Sequence, residues 1–326
     1  CLKKSTSLII SLVAILFATI LWGRITVCAD TQDRQDVLGI GNDYTAILYD
    51  STNGLPTSEA NAITQTSDGF IWIGGYSGLI RYDGTDFHRF DSSLGISSVF
   101  SLYSDSYDRL WIGTNENGLA LYDHGEIKIY GKVSELKSYS IRALCEDVNG
   151  NIIIATTQGI AYVDNENLEI HSINDPQVNT EYITRLEGDG NGNIYGLTLD
   201  GEVFTVEDLH IGAFYRSADF GNDTINTIYP SRKQPGVVYM GTVASDVFTV
   251  DFNDSIEVSN VRSATTLRNI SALYEIDNKL WVTATNGIGF FDDEDEYHEM
   301  STLPMNNSVG KIMEDHEGNL WFTSTR

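Results

Sequence analysis

One short motif recurs along the chain at nearly constant spacing, and it constrains the possible fold more than any other feature. Its clearest copy, D-G-F-I-W-I-G at residues 68–74, predicts a turn, a short strand with a buried tryptophan and a second glycine turn. The successive intervals between copies are 39, 42, 42, 44, 42 and 40 residues. The tryptophan or its replacement falls at Trp72, Trp111, Ile153, Tyr195, Tyr239, Trp281 and Trp321.

A period of about 40 residues with several short strands per unit is typical of β-propeller blades. The sequence therefore predicts an all-β protein, a seven-bladed β-propeller of four-stranded antiparallel blades over residues 44–326. The chain ends at Arg326, just after the second strand of the seventh repeat, so we expect the seventh blade to be incomplete. The strand that begins at Tyr44 aligns with the outermost strand of the first full repeat, and we expect it to complete the seventh blade and close the ring.

The N-terminal residues have the pattern of an export segment. Lys3 and Lys4 precede an uncharged, mostly apolar run, and small residues occupy the cleavage offsets before Asp30. We predict a signal peptide or uncleaved signal anchor over residues 1–29, followed by a short tether over 30–43. The propeller is then expected on the extracytoplasmic side of the cell membrane, or secreted.

The charge balance limits the possible partners. The chain has 46 acidic and 20 basic residues, which disfavours binding to nucleic acid or to an anionic membrane surface. The predicted propeller contains one cysteine, Cys145, and the six histidines have no metal-ligand spacing. No nucleophile-base or paired-carboxylate pattern is present. We therefore predict no catalytic residue, no metal site and no cofactor.

Three basic residues are expected near the propeller axis. The first strand of each repeat lines the axial channel, and by register Arg142, Arg185 and Lys311 face that channel. Such a cluster suits an anionic ligand, for example a sugar that carries a uronic acid. The alternative is that each basic residue pairs with a nearby acid such as Glu146 or Glu187.

A second candidate region is the rim formed by the turns between the second and third strands. These turns should gather at one mouth of the ring, where polar and aromatic groups favour a sugar-like ligand. The candidate binding residues on this rim are Tyr76, Asn115, Gln158 and Asn286.

The repeats resemble those of the two-component regulator propeller family. The resemblance rests on G-L-P at residues 54–56, the motif at 68–74, G-L-I-R-Y-D at 78–83 and G-L-A-L-Y-D at 118–123, and extends over about residues 44–326. It implies the extracytoplasmic sensor module of a bacterial signal transducer, with a histidine kinase or diguanylate cyclase as output domain. The resemblance also implies a small-molecule or glycan ligand, and it carries over no binding residue.

The same resemblance implies further partners. We expect attachment to the membrane through the N-terminal segment and a downstream helix, and a dimer formed through the downstream region. Two alternatives stay open. One is a secreted propeller lyase or glycan hydrolase, because G-N-L-W-F-T at residues 318–323 also resembles the repeats of streptogramin lyase. The other is a scaffold that binds a protein partner.

Overall fold

The computed structural model describes residues 37–40 (backbone only), 44–221, 224–300 and 308–325. The predicted export segment at 1–29 lies outside the described residues, as does most of the predicted tether. Within the described ranges, no helix has the length and apolar character needed to cross a membrane.

Six consecutive repeats form four-stranded antiparallel sheets in which spatial order follows chain order. We call these sheets blades 1 to 6, and name the strands of each blade A to D from the axis outwards. Two strands, β1 (Val37–Ile40) and β2 (Tyr44–Ile47), precede blade 1. Short 3-10 turns lie at Ser92–Leu94 and Ser217–Phe220.

The strand bounds of the first three blades are as follows. Blade 1 contains β3 (Ala62–Gln65), β4 (Ile71–Gly75), β5 (Gly78–Tyr82) and β6 (Phe87–Arg89). Blade 2 contains β7 (Val99–Ser104), β8 (Leu110–Thr114), β9 (Leu119–Asp123) and β10 (Glu126–Gly131). Blade 3 contains β11 (Ile141–Glu146), β12 (Ile152–Thr156), β13 (Ile160–Val163) and β14 (Ile170–Ile173).

The next three blades repeat this arrangement. Blade 4 contains β15 (Ile183–Gly188), β16 (Ile194–Thr198), β17 (Val203–Glu207) and β18 (His210–Tyr215). Blade 5 contains β19 (Ile225–Pro230), β20 (Val237–Thr242), β21 (Asp246–Asp251) and β22 (Glu257–Ser263). Blade 6 contains β23 (Ile270–Ile276), β24 (Lys279–Ala284), β25 (Gly287–Phe291) and β26 (Tyr297–Glu299).

The seventh repeat forms a two-stranded sheet, β27 (Ser308–Glu314) with β28 (Leu320–Thr325). This sheet packs between blade 6 and blade 1, since Thr325 bridges to Glu59 and the Ala60 N–H donates to the Ser324 carbonyl at 3.2 Å. The propeller fold and its four-stranded antiparallel blades are confirmed. The number of complete blades among the described residues is six, where the sequence had predicted seven with the last incomplete.

The predicted ring-closing role of the N-terminal strand is not tested by the pairing of the strands. β2 pairs with β1, and within the described residues neither strand pairs with β28. An outermost strand pairs with the third strand of its blade, and the described part of the seventh repeat has only two strands, so the role of the Tyr44 strand stays a prediction. Tyr44 packs edge-on against Trp281 of blade 6, with ring centroids 5.3 Å apart. Part of the predicted tether, residues 37–40, is the strand β1.

Neighbouring blades are held together by apolar cores. The described residues form seven hydrophobic clusters, each lying between two adjacent sheets, including one between β28 and blade 1. The B strands of blades 1 to 4 are buried at every position because a neighbouring blade covers each face. Gly113 of blade 2 permits this approach, since a Cβ there would lie 2.6 Å from Ile141 of blade 3.

The A strands share an irregularity that shapes the channel. In β7 the single residue Phe100 lies between the pairs Val99–Thr114 and Ser101–Gly113, which is a β-bulge. Blades 3 to 6 have the same bulge, and β27 has a register shift between Val309 and Ile312. The bulged residues of blades 3 to 6 are Arg142, Thr184, Asn226 and Ser271. Each bulge adds one residue to the A strand relative to the B strand beside it.

In blade 2 a buried acid holds the tryptophan of the repeated motif by hydrogen bonds. The Asp105 carboxylate accepts from Trp111 Nε1 at 2.8 Å and from Arg109 Nε at 2.6 Å, and the Asp105 side chain is fully buried. In the seventh repeat Asp315 accepts from Trp321 Nε1 at 2.8 Å, whereas in blade 1 Trp72 donates to the Thr66 hydroxyl at 2.9 Å. The brace ties the A–B turn to the blade core.

We predict that Asp105→Ala lowers the free energy of unfolding by about 3–5 kcal/mol, because Arg109 is left as an unpaired buried charge. Trp111 also loses its acceptor. Chemical denaturation measures the change. Asp254→Ala, at an exposed turn position, serves as control and should change stability by less than about 0.5 kcal/mol. Equal effects of the two variants would contradict the proposed role of Asp105.

Candidate functional site

The antiparallel order of strands assigns the turns to two opposite faces of the ring. In blade 3, Ile141 at the start of the A strand pairs with Thr156 at the end of the B strand. The A–B turns and C–D turns therefore lie on one face, which we call the AB face. The B–C turns lie on the opposite face, which we call the BC face.

A cavity of about 540 Å³ occupies the channel and extends to turns of the AB face. Its wall comes mainly from the A strands of blades 1 to 4 and of the seventh repeat. Of the three basic residues predicted at the axis, Arg142 and Lys311 line this cavity. Two charged residues not proposed as binding residues, Glu187 and Arg232, line it as well.

Arg142 is held by aromatic rings and not by an acid. Its guanidinium carbon lies 4.0 Å from the Phe100 ring centroid and 5.5 Å from that of Tyr182. Its Nε and Nη1 atoms are buried and have no hydrogen-bond partner. Glu146, the acid considered as its partner, accepts instead from the Ser106 backbone N–H at 2.9 Å. Arg142 therefore carries unused donors inside the channel.

Arg185 and Lys311 are in a different environment. The Arg185 guanidinium donates a hydrogen bond to the Thr184 carbonyl at 3.0 Å and another to the Ser271 carbonyl of blade 6 at 3.2 Å. Burial, followed by the positive charge of Arg185, lowers the pKa of Lys311 to about 7, while Glu187 acts in the opposite direction. Burial raises the pKa of Glu187 against the attraction of Lys311 and Arg185. Among the described residues, these groups form no ion pair within 4.0 Å, so the predicted pairing with Glu187 exists only as a longer-range attraction.

Polar groups on one half of the channel are satisfied by the protein itself. Thr184 Oγ1 of blade 4 donates to the Leu197 carbonyl at 3.2 Å. Asn226 Nδ2 of blade 5 donates to the Ile270 carbonyl at 2.6 Å. Ser271 Oγ of blade 6 donates to the Val309 carbonyl at 2.6 Å. Blades 4 to 6 therefore leave none of these three side chains available.

The other half of the channel has unsatisfied donors. Ser101 Oγ of blade 2 and two nitrogens of Arg142 in blade 3 are buried without a partner in the protein, and both residues line the cavity. Asn61 Nδ2 beside blade 1 also has no partner, but Asn61 does not line the cavity. Ser101 is only 7% exposed. Buried polar atoms are nearly always hydrogen-bonded in native proteins, so Ser101 and Arg142 are the candidate groups for a ligand or for water. Sequence reasoning placed Asn61, Phe100 and Ser101 at the axis but did not propose them as binding residues.

A second cavity of about 480 Å³ lies beside the first on the AB face. Both cavities are lined by Val148 and Asn193, so they share a wall. The second is lined also by Tyr215 and Phe252, whose ring centroids lie 5.5 Å apart. Sequence reasoning missed these aromatic residues. The available signal was the loss of tryptophan at the marker positions of blades 3 and 4, since the replacements Ile153 and Tyr195 both line the second cavity.

The predicted rim residues lie on the BC face and line neither cavity. Tyr76 and Gln158 are exposed. Asn286 uses its side chain locally, since its Oδ1 accepts from the Arg268 N–H and its Nδ2 donates to the Thr266 carbonyl, both at 2.8 Å. Asn115 is half-buried and its carbonyl accepts from a neighbouring serine. A ligand site on this rim stays a prediction.

Two C–D turns bring a histidine next to two acids. In blade 3 His171 Nε2 lies 2.8 Å from Asp164 Oδ2, and in blade 6 His298 Nε2 lies 2.7 Å from Asp292 Oδ2. The hydrogen bond with His298 is the main cause that lowers the pKa of Asp292. The groups with metal-ligand geometry are Asp164 with Glu169 and His171, and Asp292 with Glu296 and His298. The hydrogen bonds within each group stabilise its turn. The two groups differ in their sequence spacing, so the sequence showed no repeated metal-ligand pattern.

The fold and its channel define a β-propeller with an axial cavity. The family model described as "Two component regulator propeller" matches residues 54–77 and 93–116. The chain therefore carries two-component regulator propeller repeats, and the resemblance predicted from the sequence is confirmed. A comparison with curated protein sequences gives no match.

Solved structures share the fold at low sequence identity. The extracellular domain of a putative hybrid two-component system from B. thetaiotaomicron is 20% identical with a TM-score of 0.69; the match covers 84% of this chain and 40% of that domain. The chain thus spans less than half of that domain's length. Virginiamycin B lyase from Staphylococcus aureus is 14% identical with a TM-score of 0.67, over 82% of this chain and 95% of that one. YCF48 bound to D1 peptide is 14% identical with a TM-score of 0.69, over 83% and 92%.

We predict that Arg142→Met leaves the stability of the ligand-free protein unchanged or raises it by up to about 2 kcal/mol. The substitution removes unsatisfied donors, which outweighs the lost cation–π contact. Urea unfolding measures the change. Arg109→Met is the matched control and should cost about 3–5 kcal/mol, because it breaks the buried pair with Asp105. A comparable loss in Arg142→Met would contradict the assignment of Arg142 as an unsatisfied binding group.

Proposed function

We propose that the chain is the ligand-sensing propeller module of a bacterial signal transducer, located on the extracytoplasmic side of the cell membrane. The module itself performs no catalysis and passes its signal to an output domain of histidine kinase or diguanylate cyclase type. The observation that carries the proposal is the axial cavity, whose wall in blades 2 and 3 holds buried polar groups without protein partners.

The repeats and the fold support the sensor part of the proposal. Two repeats match the two-component regulator propeller model, and the fold is shared with the extracellular domain of a putative hybrid two-component system. In such a protein, the export segment at residues 1–29 and a downstream helix hold the module at the membrane. The two-stranded sheet of the seventh repeat is then the inner half of a seventh blade, and dimerisation occurs through the downstream region.

A carbohydrate-like ligand fits the two cavities. Sugar rings pack on aromatic side chains while their hydroxyl groups exchange hydrogen bonds with polar groups. The second cavity supplies Tyr215 and Phe252, and the axial cavity supplies Ser101 and Arg142.

Two alternative functions use the same fold. A secreted propeller lyase or glycan hydrolase is the first, supported by the fold likeness to virginiamycin B lyase. A scaffold for a protein partner is the second, supported by the fold likeness to YCF48 bound to D1 peptide. A lyase or hydrolase would convert its ligand, whereas a sensor would release the ligand unchanged.

We expect bacterial and plant oligosaccharides to include ligands that raise the melting temperature of the purified protein and are recovered intact by mass spectrometry. Val148→Trp should remove this shift, because Val148 is 70% exposed and forms the wall shared by the two cavities. Val243→Trp is the control, since Val243 is 48% exposed but follows the B strand of blade 5 on the BC face.

Three outcomes would change the account. Loss of the shift only in Val243→Trp would move the ligand site to the BC rim. Cleavage of the oligosaccharide would favour the lyase or hydrolase. Binding of proteins but of no oligosaccharide would favour the scaffold.

The output part of the proposal has a separate test. We expect the gene downstream of the codon for Arg326 to encode a membrane-spanning segment and a kinase or cyclase domain. Addition of the ligand to membranes that contain the full-length protein should change autophosphorylation or cyclic di-GMP synthesis at least twofold. A stop codon soon after a completed seventh blade would contradict the signalling proposal and leave the binding site itself untouched.

A further inference from the structure

We propose that the part of the channel formed by Ser101 and Arg142 is a carboxylate-binding subsite, so that the ligand is an acidic oligosaccharide. Its carboxylate lies against Arg142 in the axial cavity, and the adjoining sugar lies in the second cavity. The inference rests on the proposed function and narrows its ligand to one chemical class.

The unsatisfied atoms are mostly hydrogen-bond donors. The Arg142 Nε and Nη1 atoms only donate, and the Ser101 hydroxyl either donates or accepts. A ligand that satisfies them needs acceptors at several adjacent positions. An ionised carboxylate offers two acceptor oxygens and a charge opposite to that of Arg142, which a neutral hydroxyl does not.

The surroundings leave the charge of Arg142 free for such a ligand. Phe100 and Tyr182 cover the guanidinium with aromatic faces, which exclude water and accept no ordinary hydrogen bond from it. The acids that line the cavity are Glu146, Asp147 and Glu187, and the positive charges that act on Glu187 are those of Lys311, Arg185 and Arg232. Glu146 accepts from Ser106, and Asp147 accepts from the backbone N–H groups of Asn149 and Asn151. A buried cation without an acid partner is costly, and a bound anion removes that cost.

The shared wall indicates a ligand of at least two sugar units. Val148 closes the gap between blades 3 and 4, and a Cβ on Gly192 would lie 2.4 Å from its Cγ1. The wall is thin because residue 192 is a glycine. The two cavities on either side measure about 540 and 480 Å³, so a chain that crosses Val148 contacts Arg142 at one end and the aromatic pair Tyr215 and Phe252 at the other.

Binding of a carboxylate also couples to the protonation of Lys311. The charges that act on Lys311 are those of Arg185, which disfavours protonated Lys311, and of Glu187, which favours it. Glu187, Arg142 and Arg232 line the same cavity as Lys311. An added negative charge favours protonated Lys311, so the pKa of Lys311 rises from about 7 in the free protein when the ligand binds. The protein then takes up a proton on binding, and affinity falls as the pH rises above about 7.

Calorimetric titration with matched probes tests the subsite. The probes are trigalacturonate and a hyaluronan tetrasaccharide, each compared with its methyl ester, which keeps the sugar and removes the charge. We expect at least one acid to bind at pH 6.5, and its ester to bind at least tenfold more weakly. Affinity for that acid should fall about tenfold from pH 6.5 to pH 8.5, and the fall should disappear in Lys311→Met.

Variants separate charge from shape. Arg142→Met should lower the affinity for the acidic oligosaccharide at least tenfold and leave the weak affinity for its methyl ester unchanged. Val148→Asp should lower the affinity for the acidic oligosaccharide severalfold, because it adds a negative charge to the shared wall. Val148→Asn introduces a side chain of the same shape as Asp without the charge and should not lower this affinity. Thermal unfolding of each variant checks that the fold is intact.

The possible failures point to different errors. An ester or a neutral oligosaccharide that binds as tightly as its acid overturns the carboxylate subsite but supports the proposed function. Binding of the acid that Arg142→Met does not weaken also overturns the subsite. No binding of any acidic or neutral oligosaccharide overturns both proposals.

Discussion

The requirement that every blade present the edge of its A strand to one axis determines how this propeller can bind a ligand. Each bulge adds one residue to the A strand beside the channel, and polar groups buried there need hydrogen-bond partners. In blades 4 to 6 the partners are carbonyls of the same or the next sheet, as with Asn226 and the Ile270 carbonyl. In blades 2 and 3 the protein provides none for Ser101 Oγ and for two nitrogens of Arg142. The channel therefore has one half with satisfied polar groups and one half with unsatisfied polar groups.

The braced tryptophan explains where the cavities open. In blade 2 and in the seventh repeat a large ring fills the blade and is fixed by an acid of the A–B turn, as Asp105 fixes Trp111. In blades 3 and 4 the equivalent acids, Asp147 and Asp189, bond to asparagine side chains instead. The smaller Ile153 and Tyr195 leave space near the AB face. The repeats that departed most from the common pattern are thus the ones that line the second cavity.

Much of the fold could be predicted from the sequence, because the period of the tryptophan marker and the glycine turns are local signals. The register of the A strands also correctly predicted that Arg142 and Lys311 lie at the channel. The hydrogen-bond state of Asn61 and Ser101 could not be predicted, since it depends on which carbonyls neighbouring blades bring within reach. The pairing of β2 with β1 was not predicted, because residues 37–40 precede the first repeat and follow no repeat pattern.

A crystal structure of the purified protein at high resolution, grown with an acidic oligosaccharide, would test the central claim most directly. The account predicts density for a ligand whose acceptors lie within hydrogen-bond distance of Arg142 Nε and Ser101 Oγ, with the Arg142 side chain still between Phe100 and Tyr182. An Arg142 side chain turned away to form an ion pair with Glu146 or Glu187, in a channel filled only by the protein's own side chains, would contradict it.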